Sequence, residues 1–441
     1  MEQHEHNFTI PALGPAKRPS PVHLSKVMGD MIANYVSDDE HIIFDIDATP
    51  GDKAAYKREH LIEKAGPREY IFFDPDKVHA AIVTCGGLCP GLNDVIRAIV
   101  FALWHQYGVS RISGVRFGYR GFLPEFGHPF ITLKPDVVTD IHRVGGTMLG
   151  SSRGYGERTA EIVDRMEKEG INMLFTIGGD GTQRGTLRIA EEVERRGLNV
   201  AVVGIPKTID NDLSFIEKSF GFETAVSDAV DAVAAAHVEA RDALNGIGLV
   251  KLMGREAGFI AAYTALGSRE VNFLLIPELR FDLDGDNGLL ANIERRLQKR
   301  NHALIVVAEG AGQEHLEAAS TEYDASGNKK LGDIGLFLRD RIKAYFKAKN
   351  TELNLKYIDP SYMIRATGSN PIDSIYCSRL GTHAVHAAMA GKTKMLVSLV
   401  NNTFVHIPTE LAVEKRNCID LESGLWRDVI EATGQPPLML N

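Results

Sequence analysis

Short apolar runs that each end in glycine or a polar turn recur along this chain, and they constrain its fold more than any other feature. They are "VHAAIVTCGG" (78–87), "MLFTIGGDG" (173–181), "VAVVGIPK" (200–207), "GIGLVKLMGR" (246–255), "VNFLLIPE" (271–278), "HALIVVAEG" (302–310) and "KMLVSLVNN" (394–402). Apolar at nearly every position, they read as strands buried on both faces. Between them, "NDVIRAIVFALWHQYG" (93–108), "ERTAEIVDRMEKEG" (157–170) and "GTLRIAEEVERRG" (185–197) carry apolar residues at helical spacing and close on glycine. Those read as helices with C-terminal stops. Such alternation predicts an α/β chain with parallel sheets covered on both faces, where ligands sit at the carboxyl ends of the strands.

Residues 1–78 differ in texture, rich in proline and charge, and are expected to wrap the core or a partner subunit. A polar insertion over 314–335 reads as a surface loop before a helix from about 335 to 349. The 441 residues, 44% hydrophobic and 24% charged, suffice for two domains. A formal net charge of −9 argues against broad nucleic-acid binding, so a bound phosphate needs local basic residues or backbone amides. Four cysteines make no disulfide framework and no zinc site. No window has the length of a membrane-spanning helix, and the N-terminus has no signal-peptide core. A soluble cytoplasmic protein is the expectation.

The polar residues at the strand ends carry the chemistry. Gly86, Gly87 and Gly91 in "CGGLCPGLNDVIRA" let a ligand approach backbone N–H groups at a helix start, or simply make a tight turn. In "TIGGDGTQRG" (176–185) glycines flank Asp180, which is placed to hold a phosphate-bound Mg²⁺ or to cap the next helix. "GIPKTIDNDL" (204–213) sets Asp210 and Asp212 two apart, as a proton acceptor and a supporting carboxylate, or as a solvated turn. Lys207 contacts a phosphate or sits in water. Arg255 in "KLMGREAG" suits bidentate anion recognition or a surface salt bridge, and Glu309 in "VVAEGAGQ" suits a sugar hydroxyl or a cap. With Arg153, Tyr362 and Arg365, these suggest phosphoryl transfer to a phosphorylated alcohol.

The motifs "GGxxPGxN", "GGTMLGSSR", "IGGDGT", "PKTIDND", "MGR", "AEG" and "IRATGSNPIDSIYCSRLG" occur together and in order, and by them the chain resembles the 6-phosphofructokinases from about 79 to 410. The resemblance implies two doubly wound three-layer (αβα) domains with an active site in the cleft between them. Its approximate boundaries are 79–221 plus 366–410 for the donor domain and 222–365 plus 411–441 for the fructose 6-phosphate domain. It implies that Asp210 is the general base for the sugar 1-hydroxyl, with Thr208 and Ile209 beside it, and that Asp212 and Arg255 support the transfer. Gly86, Arg153, Gly154, Gly179, Asp180, Gly181 and Thr182 match nucleotide positions, Asp180 being the Mg²⁺ aspartate. Met253, Gly254, Arg255, Glu309, Lys356, Tyr362, Met363, Ile364 and Arg365 match the sugar-phosphate site.

The chain departs from the compact bacterial pattern in three places. Tyr362 replaces a histidine, Lys356 an arginine, and Gly246 an arginine given by a neighbouring subunit. The extension 1–78 resembles the leader of the longer ATP-dependent group. On the donor, Gly181 is the ATP-type residue, because an aspartate there opposes the α-phosphate, whereas Lys207 is typical of pyrophosphate users. Gly181 weighs more, since a facing carboxylate excludes ATP directly. The expectation is an ATP-dependent 6-phosphofructokinase that uses Mg²⁺, assembled as a homodimer or homotetramer. A pyrophosphate-dependent phosphotransferase and a catalytically silent regulatory subunit of the same fold are the alternatives.

Overall fold

The computed structural model describes residues 6–44, 46, 58–316 and 330–441. Most of the insertion expected over 314–335, and parts of the extension 1–78, lie outside them. The chain divides into two units, one of Met1–Thr208, Leu213–Gly221 and Thr367–Arg416, the other of Ile209–Asp212, Phe222–Ala366 and Asn417–Asn441. Three short stretches fall otherwise than the sequence ranges place them. Ile209–Asp212 and Ala366 group with the second unit, and residues 411–416 with the first.

The first unit is built on a seven-stranded sheet in the order Thr403–Pro408, Met395–Val400, Ala201–Pro206, Met173–Gly178, His79–Thr84, Arg111–Val115, Ile131–Thr132. The five inner strands are parallel and only the edge pairings are antiparallel. Every residue of His79–Thr84, Met173–Gly178 and Ala201–Pro206 is buried, as the unbroken apolar runs require. Helix Thr159–Glu169 turns Ile162, Val163 and Met166 inward, each worth about 2 kcal/mol of burial, and stops at Gly170 in the left-handed region. On the helix Pro371–Met389, Gly381 allows close approach to helix Leu92–Phe101, because a Cβ there would lie 2.8 Å from Ala98.

Two helix ends differ from the sequence reading. The helix read as 93–108 keeps α geometry only over Leu92–Phe101 and widens to a π turn over Ala102–Gln106. The helix read as 185–197 begins at Asp180, directly after the strand. Its first turn is held from below by the buried Gln183, whose amide donates to Gly178 O and Ile205 O at 2.9 and 3.1 Å.

The second unit has a four-stranded, wholly parallel sheet in the order Phe273–Leu275, His302–Ala308, Gly246–Leu252, Asn354–Ile358. Alternate residues feed two cores. Val250, Leu252, Leu304 and Val306 face helices Phe222–Arg241, Phe259–Ser268 and Gly424–Thr433, while Leu249, Ile305 and Val307 face helices Leu289–Arg300 and Ile334–Ala348. That is a three-layer αβα arrangement.

The described part of the extension packs on the first unit itself. Leu13 N–H donates to Gly391 O, Phe72 N–H to Met389 O and Ala65 N–H to Phe404 O, at 2.8 to 2.9 Å. A buried charge cluster secures it: Glu63 accepts from Arg68 at 2.7 Å and from Lys392 at 3.0 Å, with His406 Nδ1 at 3.0 Å. Burial works against the Glu63 carboxylate, but the His406 hydrogen bond and the Lys392 and Arg68 charges outweigh it. They hold the carboxyl well below the usual carboxylate range.

Removing that charge leaves two cations buried without it, so Glu63→Gln is expected to lower unfolding stability by about 3 kcal/mol in denaturant titrations. The depressed folded pKa makes this stabilisation fully present above the ordinary glutamate range and lost as pH falls below about 4.3. The difference between wild type and variant therefore shrinks on acidification, and a difference that grew would contradict the assignment.

Candidate functional site

In the first unit, strand His79–Thr84 pairs with Arg111–Val115 on one side and Met173–Gly178 on the other. The chain thus leaves this strand in opposite directions, and the turns after His79–Thr84 and Met173–Gly178 flank the switch point. Gly86 takes φ +87° there, donates to Ser152 O at 2.9 Å and accepts from Ser151 Oγ at 2.7 Å. That stitches the segment carrying Arg153 and Gly154 to the turn, with Arg153 Nη2 lying 3.8 Å from where a Gly87 Cβ would be. Gly179 abuts the third strand end, since a Cβ would lie 3.1 Å from Lys207 O. Thr182 is buried, and its carbonyl accepts from Tyr119 Oη at 2.8 Å. All the donor-side residues named from the sequence therefore converge in one unit.

Lys207 is not solvated. It is buried and donates from Nζ to Gly87 O at 2.6 Å, crossing the turn at Gly86. Gly181 is the opposite case, because a Cβ there would meet nothing within 4 Å. Beneath the turn, burial pushes the Cys85 thiol up to about 12, which makes it unreactive.

Asp180 is not the helix cap. Gly179 takes that position, and Asp180 is the first helical residue. Arg184 Nε lies 2.9 Å from its Oδ1 and Arg416 Nη2 lies 3.6 Å from Oδ2. The sequence reading missed both arginines. Arg184, one helical turn on, was open to the i,i+4 rule, whereas Arg416 has no local signal. Among the described residues no group of three or more His, Cys, Asp or Glu could hold a metal ion. A lone carboxylate fits Mg²⁺ carried in on a polyphosphate, since Mg²⁺ binds through one or two carboxylates plus phosphates.

The loop after Ala201–Pro206 passes from the first unit to the second between Thr208 and Ile209. Thr208 and Asn211 are buried, Asn211 at φ +56°, and Thr208 O accepts from Ser219 Oγ. Ile209 packs against the apolar core of the second unit, and Asp212 O accepts from Asn417 N at 2.8 Å. Asp210 Oδ1 is shielded from solvent. This is an ordered loop and not the solvated turn that its polar sequence allowed.

In the second unit, two neighbouring strand ends are locked together. Glu309 N–H donates to Leu252 O at 2.9 Å and Gly310 N–H to Gly254 O at 3.0 Å, with Gly254 at φ +130°. Arg255 and Glu309 thus stand side by side. Burial raises the Glu309 carboxyl above its usual range, while the charges of Arg255, Lys251 and Arg365 pull against that shift. On helix Ser361–Ala366, the Arg365 guanidinium lies 4.5 Å from the Tyr362 ring centroid, and Tyr362 and Met363 are exposed.

Three residues expected at the substrate have side chains away from the strand ends. Ile364 is fully buried and Met253 nearly so, both in the apolar core. Lys356 lies opposite Gly248 in mid-sheet, 3.8 Å from Glu239, away from the strand ends that carry Arg255 and Glu309. Gly246, at the amino end of its strand, has no room for a side chain because a Cβ would lie 1.9 Å from Ala240 O.

A phosphofructokinase family model matches residues 79–388. The ATP-dependent 6-phosphofructokinase of Borreliella burgdorferi is 56% identical over 441 residues, covering 99% of this chain and 98% of that one. That of Amycolatopsis methanolica is 44% identical, covering 99% and 96%. Among solved structures, the pyrophosphate-dependent phosphofructokinase of Marinobacter aquaeolei superposes with a TM-score of 0.65 at 19% identity, over 81% of this chain and 91% of that one. The Pichia pastoris phosphofructokinase in the T-state gives 0.63 at 20% identity over 78% of this chain, which spans only 36% of that longer one. At such identities the structures speak for the fold alone.

The contact between the two strand ends gives a test of the sugar-side geometry. A Cβ on Gly310 would lie 1.8 Å from Arg255 O, so Gly310→Ala must push the Arg255 turn aside. The expected loss is about 2 kcal/mol in denaturant unfolding. Wild-type stability in that variant would show the turn to be looser than described.

Proposed function

The chain belongs to the phosphofructokinase family, and we propose that it acts as an ATP-dependent 6-phosphofructokinase, forming fructose 1,6-bisphosphate from fructose 6-phosphate in glycolysis. The observation that carries the choice of donor is the open space at Gly181 beside the glycine turns at Gly86 and Gly179, which leaves room for a nucleotide's α-phosphate. The names of the closely similar full-length relatives point the same way. Lys207, held on Gly87 O, sits beside either donor without excluding one.

The division of labour follows the residues. Asp210 takes the proton of the sugar 1-hydroxyl, which turns a weak nucleophile into a better one. Arg255 offsets negative charge on the transferring phosphoryl group, with Thr208 and Asp212 supporting the loop that carries the base. Glu309 holds sugar hydroxyls, and Arg365 with Tyr362 and Met363 receives the 6-phosphate. Backbone N–H groups at Gly154 and Gly179, with Arg153 and Thr182, hold the donor phosphates, and Gly86 shapes the turn beside them. Asp180 would hold a Mg²⁺ carried in on the donor, and that ion would supply positive charge to the donor's phosphates.

We further propose a cytoplasmic homodimer or homotetramer. The family likeness and the four free cysteines support this reading. Among the described residues no helix is long and apolar enough to cross a membrane.

Two variants test the assignments. Asp210→Ala is expected to lower kcat with MgATP and fructose 6-phosphate by about 10²–10⁴-fold while the protein melts as wild type does. Full activity in that variant would remove Asp210 as the base and point to another proton acceptor. Gly181→Asp should fold normally, given the space around it, yet lose at least about tenfold in kcat/KM for ATP through like-charge repulsion. Unchanged ATP kinetics would remove the basis for the donor assignment.

A further inference from the structure

Lys251 lies two residues before Met253 on strand Gly246–Leu252, in a sequence context that gives it no role. Its side chain is only 13% exposed, and its Nζ sits 2.9 Å from Asp359 Oδ2 and 3.1 Å from Asp333 Oδ2. Each carboxylate divides its oxygens in the same way. Asp333 Oδ1 accepts from Leu336 N at 3.1 Å, capping helix Ile334–Ala348. Asp359 Oδ1 accepts from Ser361 N at 3.2 Å and Ser361 Oγ at 2.6 Å, at the start of helix Ser361–Ala366. One ammonium therefore ties the starts of two helices to the strand that leads to Arg255.

The second of these helices matters for chemistry, because it carries Tyr362 and Arg365. It is only one and a half turns long and has little cohesion of its own, so its direction depends on its first turn. Asp359 holds the N–H and hydroxyl of Ser361 at the start of that turn, and Lys251 fixes Asp359. Burial opposes the charge on Lys251, but the hydrogen bonds to Asp359 and Asp333 outweigh it and keep the lysine an ammonium. Neutralised on both sides, this cation serves the scaffold and is not an anion-binding group.

We propose that Lys251 is a positioning residue for the sugar-phosphate site, which sets affinity for fructose 6-phosphate by holding Asp359 at the start of the helix that bears Tyr362 and Arg365. The inference rests on the functional reading above and assigns to that reaction a residue that touches neither substrate.

Steady-state kinetics of the full-length protein test it. Lys251→Met is expected to raise KM for fructose 6-phosphate about tenfold, with kcat and KM for ATP within about twofold, the pattern of lost ground-state binding. Lys251→Arg, which can still reach both carboxylates, should bring KM back to within about threefold of wild type. Asp333→Ser keeps a cap on the other helix and should leave KM for fructose 6-phosphate within about twofold. If Lys251→Met does not melt cooperatively, Asp359→Asn takes its place, since the amide oxygen keeps the hydrogen bonds to Ser361 while the charge is lost, and the same rise in KM is expected. An unchanged KM for fructose 6-phosphate in a folded variant overturns the proposal, and so does an equal rise in KM for both substrates. A wild-type protein that makes no fructose 1,6-bisphosphate overturns the functional reading and this inference with it, whereas normal wild-type turnover confines any failure to Lys251.

Discussion

Parallel pairing of three fully buried strands, His79–Thr84, Met173–Gly178 and Ala201–Pro206, is the constraint on which the donor side depends. Because the strands run the same way and in register, their carboxyl ends emerge together, and three loops far apart in sequence become neighbours. Glycine then decides what those loops can do. Gly86 needs its left-handed φ to turn under Lys207, and Gly179 must be bare to pass the Lys207 carbonyl. Side chains at these two places would strain or crowd the turn, whereas Gly181 faces open space and is free of any packing reason to be glycine. That contrast separates glycines serving the fold from one that packing does not require.

The second unit uses the same principle with charges in place of glycines. Its strand ends bring Arg255 beside Glu309, and a salt-bridged lysine on the same strand carries the alignment on to Arg365. Both helix starts near that lysine are held by carboxylates that use one oxygen for backbone and one for the ammonium. A half-buried ion triad of this kind adds little net stability, because desolvation offsets much of its attraction. What it fixes is direction.

Much of this was legible in the sequence, for identifiable reasons. Every apolar run named as a strand contains one, since burial on both faces leaves an unbroken signal that needs no partner to be read. "GIPKTIDNDL" announced itself through charge packed directly after such a run. Long-range pairings were hidden. Nothing near Asp180 points to Arg416, and nothing near Lys251 points to Asp333 or Asp359, because folding alone brings those groups together. Motif matching also cannot tell a contact from its support: Ile364 and Met253 lie inside the sugar-site motifs but spend their side chains on the core. The start of the Asp180 helix was read late because its first turn is glycine and polar residues, and only the buried Gln183 amide explains why the helix begins there.

The donor assignment concentrates the functional reading into one measurement. Initial rates of fructose 1,6-bisphosphate formation by the purified protein, with fructose 6-phosphate and either MgATP or Mg-pyrophosphate at matched concentrations, compare the two donors directly. Brisk turnover with MgATP and little with pyrophosphate is the expected result. Brisk turnover with pyrophosphate and none with MgATP would contradict it, and would shift the meaning of the pocket from the open space at Gly181 to the lysine at 207.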